Sequence, residues 1–356
     1  MKTFDRRRLL AGGLAGAAVG AVGLSQMNRT TEPEVGAPRV VKRVGAMPYR
    51  AFGKTGVAVS ELSFGAWAIG GESYGVVDRA ESLAALARAE ELGCNLADTA
   101  SVYGESEAVL GEFLAGRRDR WLLSTKFSGQ EAGMTAHLES QLRQLRTAHV
   151  DFYMIHWVPS ARDAGMFDEL AALKRAGKTR FIGVSAYNVK DVGRVLDRPE
   201  IDGLMLPFSL LDPDPFLACR ARLGASGKAV MIRSVLKEGF LTGKYRRDSR
   251  FTDPKDQRSK MSAADIAATV DRVEQLRFLE AGQGSLVRAA IAYPLSFPEV
   301  STTVVGVKTA RHAEMNFGEC AGQRLNEASL ERVRAIQRTL GPGEPTLWRR
   351  LLDRFS

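Results

Sequence analysis

Short apolar runs alternate with longer amphipathic segments along most of this 356-residue chain. The longer segments carry leucines at helical spacing, as Leu138, Leu142 and Leu145 do. Apolar runs separated by helices are typical of parallel βα units. Eight strands are predicted, at residues 62–65, 95–98, 121–126, 151–156, 181–185, 203–208, 229–233 and 301–306. The pattern therefore predicts an α/β fold, a (β/α)8 TIM barrel, which typically takes about 250 residues.

Chemically active side chains stand at the ends of three consecutive predicted strands. Asp98, Lys126 and His156 each close one, and Tyr103 follows Asp98 by five positions. The carboxyl ends of barrel strands meet on one face, where catalytic groups collect. An ammonium beside a phenol lowers the phenol pKa, and a carboxylate keeps the ammonium charged. Each residue alone is compatible with ordinary packing or a surface ion pair. Together they indicate a proton-transfer site that needs a cofactor for the rest of its chemistry.

Three motifs, in order along the chain, resemble those of the aldo-keto reductases. They are the opening at 49–60, the segment Gly93-Cys94-Asn95-Leu96-Ala97-Asp98-Thr99-Ala100 with Tyr103-Gly104, and Gly239-Phe240-Leu241-Thr242-Gly243-Lys244-Tyr245. The resemblance runs from about residue 47 to about residue 340. It implies an N-terminal β-hairpin that plugs the barrel. It also implies that Tyr103 is the general acid, that Lys126 and Asp98 tune it, and that His156 orients the carbonyl.

The same resemblance implies an NADP(H) site across the barrel mouth. The residues expected to bind the cofactor are Ser185, Met205, Arg233, Ser234, Leu236, Gly239, Lys244, Gly306, Lys308, His312 and Asn316. Lys308 favours NADP over NAD because a cation at a helix start suits a 2′-phosphate. A solvated basic helix start is the alternative. Three positions depart from the family pattern: Ala186 stands where members usually carry Asn, Met205 where they usually carry Gln, and Met315 where they usually carry an acidic partner of adenine.

Selectivity for the carbonyl substrate is expected from the loops after the strands. Trp67 and Trp157 follow two strands and are predicted to wall an apolar substrate pocket. Ordinary barrel packing is the equal alternative for both. The amphipathic tail at 346–356 either docks on the barrel rim or touches a membrane surface. The histidines have no metal-ligand spacing, so no metal site is expected.

The N-terminal segment resembles a twin-arginine export signal. Arg6 and Arg7 precede an uncharged 16-residue stretch at 9–24, short of the roughly 20 residues of a spanning helix. A disordered basic tail is the alternative. The expected organisation is 1–27 signal or anchor, 28–46 linker, 47–345 barrel and 346–356 tail. We therefore expect a periplasmic protein that meets the export machinery, with a possible membrane tether if the signal is uncleaved. The net charge of +9 comes with no recognisable nucleic-acid module.

These observations predict an NADPH-dependent oxidoreductase that reduces an aldehyde or ketone to an alcohol, or runs the reverse reaction. Two alternatives remain at this stage. One is a non-redox regulatory or binding protein that resembles the potassium-channel β subunits, which Ala186 and Met205 favour. The other is a periplasmic sugar isomerase or lyase that uses the same Tyr103 and Lys126 without net hydride transfer.

Overall fold

The N-terminal part of the chain forms a small antiparallel sheet. The structure, a computed structural model, describes residues 40–71, 74–129 and 133–340. Strands β1 (Val40–Val44), β2 (Met47–Ala51) and β3 (Ala58–Ser60) pair in that order. The hairpin of β2 and β3 confirms the prediction for this region. The linker prediction is wrong for residues 40–44, because the valine-rich β1 pairs with β2 through a tight turn at Gly45. All five β1 residues are exposed, so no apolar alternation reveals the strand.

A closed barrel of eight parallel strands follows, as the sequence predicts. The strands are β4 (Leu62–Gly65), β5 (Leu96–Asp98), β6 (Leu122–Phe127), β7 (Val150–Ile155), β8 (Thr179–Ser185), β9 (Gly203–Pro207), β10 (Ala229–Arg233) and β11 (Thr302–Gly306). The barrel closes where β11 pairs with β4. Each strand lies within two residues of its predicted position. The strands are buried almost throughout, as parallel strands covered by helices on the outside and by barrel packing on the inside are.

Helices connect the strands. The longer ones are Arg79–Glu91, Ser106–Phe113, Met134–Gln144, Gly165–Arg175, Val189–Leu196, Phe216–Ser226, Ala263–Glu274, Leu286–Leu295 and Glu327–Leu340. Short helical turns lie at Ala66–Ile69, Arg118–Arg120, Lys237–Thr242, Gln257–Lys260, Arg277–Leu279, Glu280–Gln283, Ala310–Ala313 and Glu314–Gly318. Asp78 caps the first long helix by accepting from the backbone N–H groups of Ala80 and Glu81. Within the described residues, no helix is both long and apolar enough to cross a membrane.

The N-terminal sheet closes the bottom of the barrel. Phe52 and Val59 pack with Phe152, Met154 and other barrel residues into one buried cluster. The rings of Phe52 and Phe152 meet edge to face, with centroids 5.3 Å apart. This packing leaves the opposite end, where the strands finish, as the open face of the barrel. The predicted segments 1–27 and 346–356 lie outside the described residues, and so do most of the predicted linker and residues 341–345.

Candidate active site

The strand ends place a buried ion pair at the open face of the barrel. Asp98 is the last residue of β5, and Lys126 lies near the end of β6. The Lys126 ammonium donates to Asp98 Oδ1 at 2.8 Å, to Asp98 Oδ2 at 2.7 Å and to the Thr99 carbonyl at 2.7 Å. Ser124 also donates to the Asp98 carboxylate, at 2.9 Å. A buried pair of this kind is retained only with such complete hydrogen bonding.

The same end of the barrel brings Tyr103 and His156 beside this pair. The Tyr103 ring lies 5.9 Å from the His156 ring, between centroids, and 5.1 Å from Lys126 Nζ. Trp67 packs against the other side of Tyr103, with centroids 6.0 Å apart. Tyr103 and His156 are both buried. The structure therefore brings together the four residues that the sequence predicts as a proton-transfer site.

The predicted direction of the Tyr103 pKa is wrong. Burial raises the pKa of Tyr103 well above 10.0, and the nearby Asp98 carboxylate raises it further, while Arg233 opposes them. The sequence argument gave the carboxylate only the role of keeping Lys126 charged and left out burial. Because Asp98 neutralises that ammonium at direct contact, little net positive charge reaches the phenol from the pair. Tyr103 is consequently a protonated phenol at neutral pH.

His156 is neutral at the same pH. Burial, Lys126 and Arg233 together lower the pKa of His156 well below 6.5. Burial also lowers the pKa of Lys126, although Asp98 opposes this shift. The Tyr187 hydroxyl donates to the His156 carbonyl oxygen at 3.1 Å and ties β7 to the loop after β8. A neutral imidazole and a protonated phenol are both suited to hydrogen-bonding a carbonyl oxygen.

A cavity of about 670 Å³ opens from this cluster. Of the residues predicted to bind cofactor or substrate, its walls include Trp67, Met205, Arg233, Ser234, Leu236, Gly239, Lys244, Gly306, Lys308, His312 and Asn316. Ser185 is fully buried beneath the wall. Trp157 does not line the cavity and packs instead on the Phe127 ring, with centroids 5.9 Å apart. The packing alternative therefore describes Trp157, whereas Trp67 does face the cavity.

The far end of the cavity is basic. Burial lowers the pKa of His312, and the charges of Lys244, Lys308 and Arg311 lower it further. Three cations therefore surround one imidazole. Lys308 donates to the backbone oxygen of Tyr74. The short helix Ala310–Ala313 begins two residues after Lys308. Such a cluster suits a phosphate, since arginine and lysine are the usual phosphate partners in proteins.

The cavity wall also includes residues that the sequence analysis did not assign to the site, among them Tyr74, Tyr187, Glu238 and Arg258. Arg258 pairs with Asp256, and its guanidinium lies 4.3 Å from the centroid of the Phe251 ring. Glu238 and Arg258 lie in the short helical turns Lys237–Thr242 and Gln257–Lys260, and Tyr74 lies outside the named strands and helices, so their local pattern carries no strand-end signal. Tyr187 alone had such a signal, because it follows the end of β8 by two residues.

The loop after β10 is backbone-strained. Ser234, Lys237 and Glu238 adopt positive φ values of 59°, 45° and 50°, which residues with a Cβ rarely do. Lys237 is held by Asp212 at 2.9 Å. Gly239 continues the loop at φ 88°. Strain of this kind persists only where surrounding contacts enforce it, and it concentrates at binding sites. The loop is the one that the resemblance assigns to the cofactor.

Comparison with known proteins identifies relatives of this chain. A sequence model of the aldo/keto reductase family matches residues 61–338. Aldo-keto reductase YhdN of Bacillus subtilis is 25% identical over 316 residues, covering 82% of this chain and 93% of its own. L-glyceraldehyde 3-phosphate reductase of Escherichia coli O157:H7 is 26% identical over 357 residues, covering 88% and 98%.

Solved structures share the fold. Glycerol dehydrogenase AKR11B4 from Gluconobacter oxydans superposes with a TM-score of 0.70 at 23% identity, covering 85% of this chain and 98% of its own. The holo form of aldo-keto reductase AKR11C1 from Bacillus halodurans gives 0.67 at 23% identity, covering 82% and 96%. The family match spans the barrel and both strand ends that carry Asp98 and Lys126. The chain therefore belongs to the aldo/keto reductase family and is an oxidoreductase of that family.

Proposed function

We propose that this protein is an NADPH-dependent reductase of aldehydes or ketones, or runs the reverse reaction. The observation that carries the proposal is the buried Asp98–Lys126 pair beside Tyr103 and His156 at the mouth of a large cavity. No single member defines the chemistry. Protonated phenol, neutral imidazole and a fixed ion pair together form a site that can protonate a carbonyl oxygen.

The roles follow from the protonation states. Tyr103 donates its proton to the carbonyl oxygen, because its raised pKa keeps it protonated. Neutral His156 donates a hydrogen bond to the same oxygen and fixes the carbonyl for transfer. Lys126, which Asp98 holds in place, lies over the Tyr103 ring, and Trp67 also packs against that ring. The pocket wall thus fixes the proton donor in place before substrate arrives.

The cavity fits an NADP-type cofactor. NADPH, when bound, supplies the hydride. Lys244, Lys308 and Arg311 give the basic end of the cavity three positive charges, which suits the 2′-phosphate that distinguishes NADP from NAD. We expect Lys308→Met to weaken NADPH binding about tenfold and to leave NADH binding nearly unchanged. Quenching of tryptophan fluorescence during titration measures both, and equal weakening of the two cofactors would remove the argument for NADP.

The decisive experiment follows NADPH oxidation with benzaldehyde in wild-type protein and in Tyr103→Phe. The substitution removes only the phenolic oxygen, so we expect kcat to fall about 10²- to 10⁴-fold. NADPH affinity, measured by fluorescence, serves as the control and stays unchanged. Undiminished turnover in the variant would rule out Tyr103 as the proton donor.

One observation favours the non-redox alternative. The Ala186 backbone N–H donates to the Met205 backbone oxygen at 2.8 Å, so these two departures from the family pattern lie side by side. Both side chains are buried and apolar, and neither can hydrogen-bond a carboxamide. A regulatory or binding protein would bind NADPH and turn over no carbonyl compound. The benzaldehyde assay therefore separates the two functions.

Export to the periplasm is part of the proposal, and it rests on the sequence of residues 1–27 alone. The paired Arg6 and Arg7 ahead of an uncharged stretch support a twin-arginine signal. We expect Arg6→Lys combined with Arg7→Lys to retain the full-length protein in the cytoplasm. Cell fractionation measures this, and unchanged export of the double variant would refute the proposed signal.

A further inference from the structure

Arg233 stands out among the cations of the cavity. It is the last residue of β10, and its guanidinium carbon lies 4.3 Å from the centroid of the Tyr187 ring. Tyr187 in turn donates to the backbone of His156. Nη1 of Arg233 reaches Ser234 Oγ at 3.4 Å, a long contact to a neutral oxygen. Nε and Nη2 are buried and have no hydrogen-bond acceptor within the described part of the chain.

The three neighbouring cations are each paired with a carboxylate. Lys126 is neutralised by Asp98, Lys237 contacts Asp212 at 2.9 Å, and Arg258 contacts Asp256. Across the ranges that the structure describes, no carboxylate lies within 4.0 Å of the Arg233 guanidinium. Buried N–H groups without an acceptor are unfavourable, because their lost hydration is not replaced. The Glu238 carboxylate on the same cavity wall interacts electrostatically with Arg233, but it makes no contact with the guanidinium within 4.0 Å and leaves Nε and Nη2 without a hydrogen-bond acceptor among the described residues.

We propose that Arg233, which the family resemblance places among the cofactor-binding residues, binds the substrate instead, and that the carbonyl substrate carries an anionic group, a carboxylate or a phosphate. This inference deepens the proposed function and rests on it, because the proposed function is what makes the substrate a carbonyl compound. Arginine is the side chain best suited to such a group, since its planar fork pairs with two oxygens at once. The ligand supplies acceptors for the Nε and Nη2 groups, which have none in the described part of the chain.

The position of Arg233 separates this site from the cofactor phosphates. Its charge lowers the pKa of His156 and opposes the rise in the pKa of Tyr103, so it acts at the catalytic end. The phosphate-type cluster of Lys244, Lys308 and Arg311 surrounds His312 instead. Two cationic subsites of one cavity are thus assigned to two different anions.

A binding experiment tests the site without requiring turnover. Trp67 faces the cavity and packs on Tyr103, so tryptophan fluorescence reports on ligands that enter there. Benzoate, phenyl phosphate and the neutral isostere benzamide are titrated into the full chain, with and without saturating NADP⁺. We expect at least one of the anions to bind about tenfold more tightly than benzamide. Equal binding of all three would overturn the proposal, and the stronger anion identifies which group the site prefers.

Matched variants locate the effect. Arg233→Met keeps much of the stem and removes the charge, and it is expected to abolish the preference for the anion over benzamide. Arg233→Lys keeps the charge and is expected to retain part of the preference. Lys308→Met weakens cofactor binding and leaves the preference unchanged. A preference that survives in Arg233→Met, or that disappears in Lys308→Met alone, would place the anion elsewhere and contradict the assignment.

A kinetic comparison separates this inference from the proposed function. The kcat/KM values for 4-carboxybenzaldehyde and 4-carbamoylbenzaldehyde with NADPH are expected to differ about tenfold in favour of the carboxylate. Reduction of both aldehydes at equal kcat/KM would support the reductase and reject the anionic substrate. Tight benzoate binding that depends on Arg233, without reduction of any aldehyde, would support the anion site and reject the reductase.

Discussion

At the scale of single residues, the Asp98–Lys126 pair shows why the distance to one charged group is not enough to predict the direction of a pKa shift. An ammonium has three N–H donors. Asp98 and the Thr99 carbonyl accept three hydrogen bonds from Lys126. The Asp98 carboxylate therefore compensates the charge of Lys126, and the ammonium does not lower the pKa of Tyr103. The sequence predicted which four residues meet, because strand ends fix their positions. It did not predict the pKa direction, since that depends on burial and on how the ammonium is paired.

The protonation states predict the pH dependence of carbonyl reduction. The Tyr103 pKa lies above 10.0, so the donating phenol is intact at lower pH and is lost only as the pH rises through that raised value. The His156 pKa lies below 6.5, so the imidazole stays neutral until the pH falls beneath 6.5. We therefore expect kcat/KM for reduction to show no fall on the acid side down to pH 6.5, whereas a fall on the alkaline side below pH 10.0 would report Lys126, whose pKa is lowered from 10.5. Stopped assays at constant ionic strength measure it, and a sigmoidal fall towards pH 6.5 would contradict the assignment of His156.

At the scale of elements, a close backbone approach positions the proton donor. The turn that carries Tyr103 packs on the end of the helical turn Ala66–Ile69. A Cβ on Gly70 would lie 1.7 Å from the Tyr103 carbonyl oxygen. Glu105 N–H donates to the Gly70 carbonyl at 3.1 Å and holds the two segments together. Only glycine permits this contact, so the position of the Tyr103 turn depends on residue 70.

We therefore expect Gly70→Ala to displace the Tyr103 turn and to lower kcat about 10²-fold, since small misplacements of a catalytic group are costly. NADPH affinity changes less, because the basic end of the cavity is not involved. Gly165→Ala is the matched control, as nothing lies within 4 Å of the Cβ it would add. Steady-state kinetics and fluorescence titration of both variants measure the effects. Wild-type kcat in Gly70→Ala would show that the turn adapts without cost.

The sequence pattern predicted the barrel strands but not the exposed strand or the loop geometry. Every barrel strand was predicted, because buried parallel strands read as apolar runs between helices. Strand β1 was missed because both of its faces are exposed. The strained loop at 234–239 and the stacking of Arg258 on Phe251 were missed for another reason. Their geometry depends on contacts between residues that are distant in the sequence. The local spacing of hydrophobic and polar residues does not predict such contacts.

At the scale of the whole molecule, the N-terminal sheet is anchored to the barrel bottom by one buried carboxylate. Glu61 lies between β3 and β4 and is fully buried. It accepts from Arg50 at 3.3 Å, from Arg324 at 2.5 Å and from the Gly322 backbone at 2.5 Å. Arg50 additionally donates to backbone oxygens that follow the helix Leu286–Leu295, at Phe297 and Val300. The beginning and the end of the barrel thus share one charge cluster.

Removing the charge of Glu61 leaves two buried or partly buried guanidinium groups without their counter-ion. Breaking such a cluster costs about 3–5 kcal/mol, so Glu61→Gln is expected to lower the free energy of unfolding by that amount. Glu327→Gln breaks an exposed pair with Arg334 and is expected to cost less than about 1 kcal/mol. Urea unfolding followed by circular dichroism compares the two. Because Glu61 lies at the end of the barrel opposite the cavity, kcat of the folded Glu61→Gln protein stays near the wild-type value. Equal losses of stability in both variants would show that the Glu61 cluster does not anchor the N-terminal sheet.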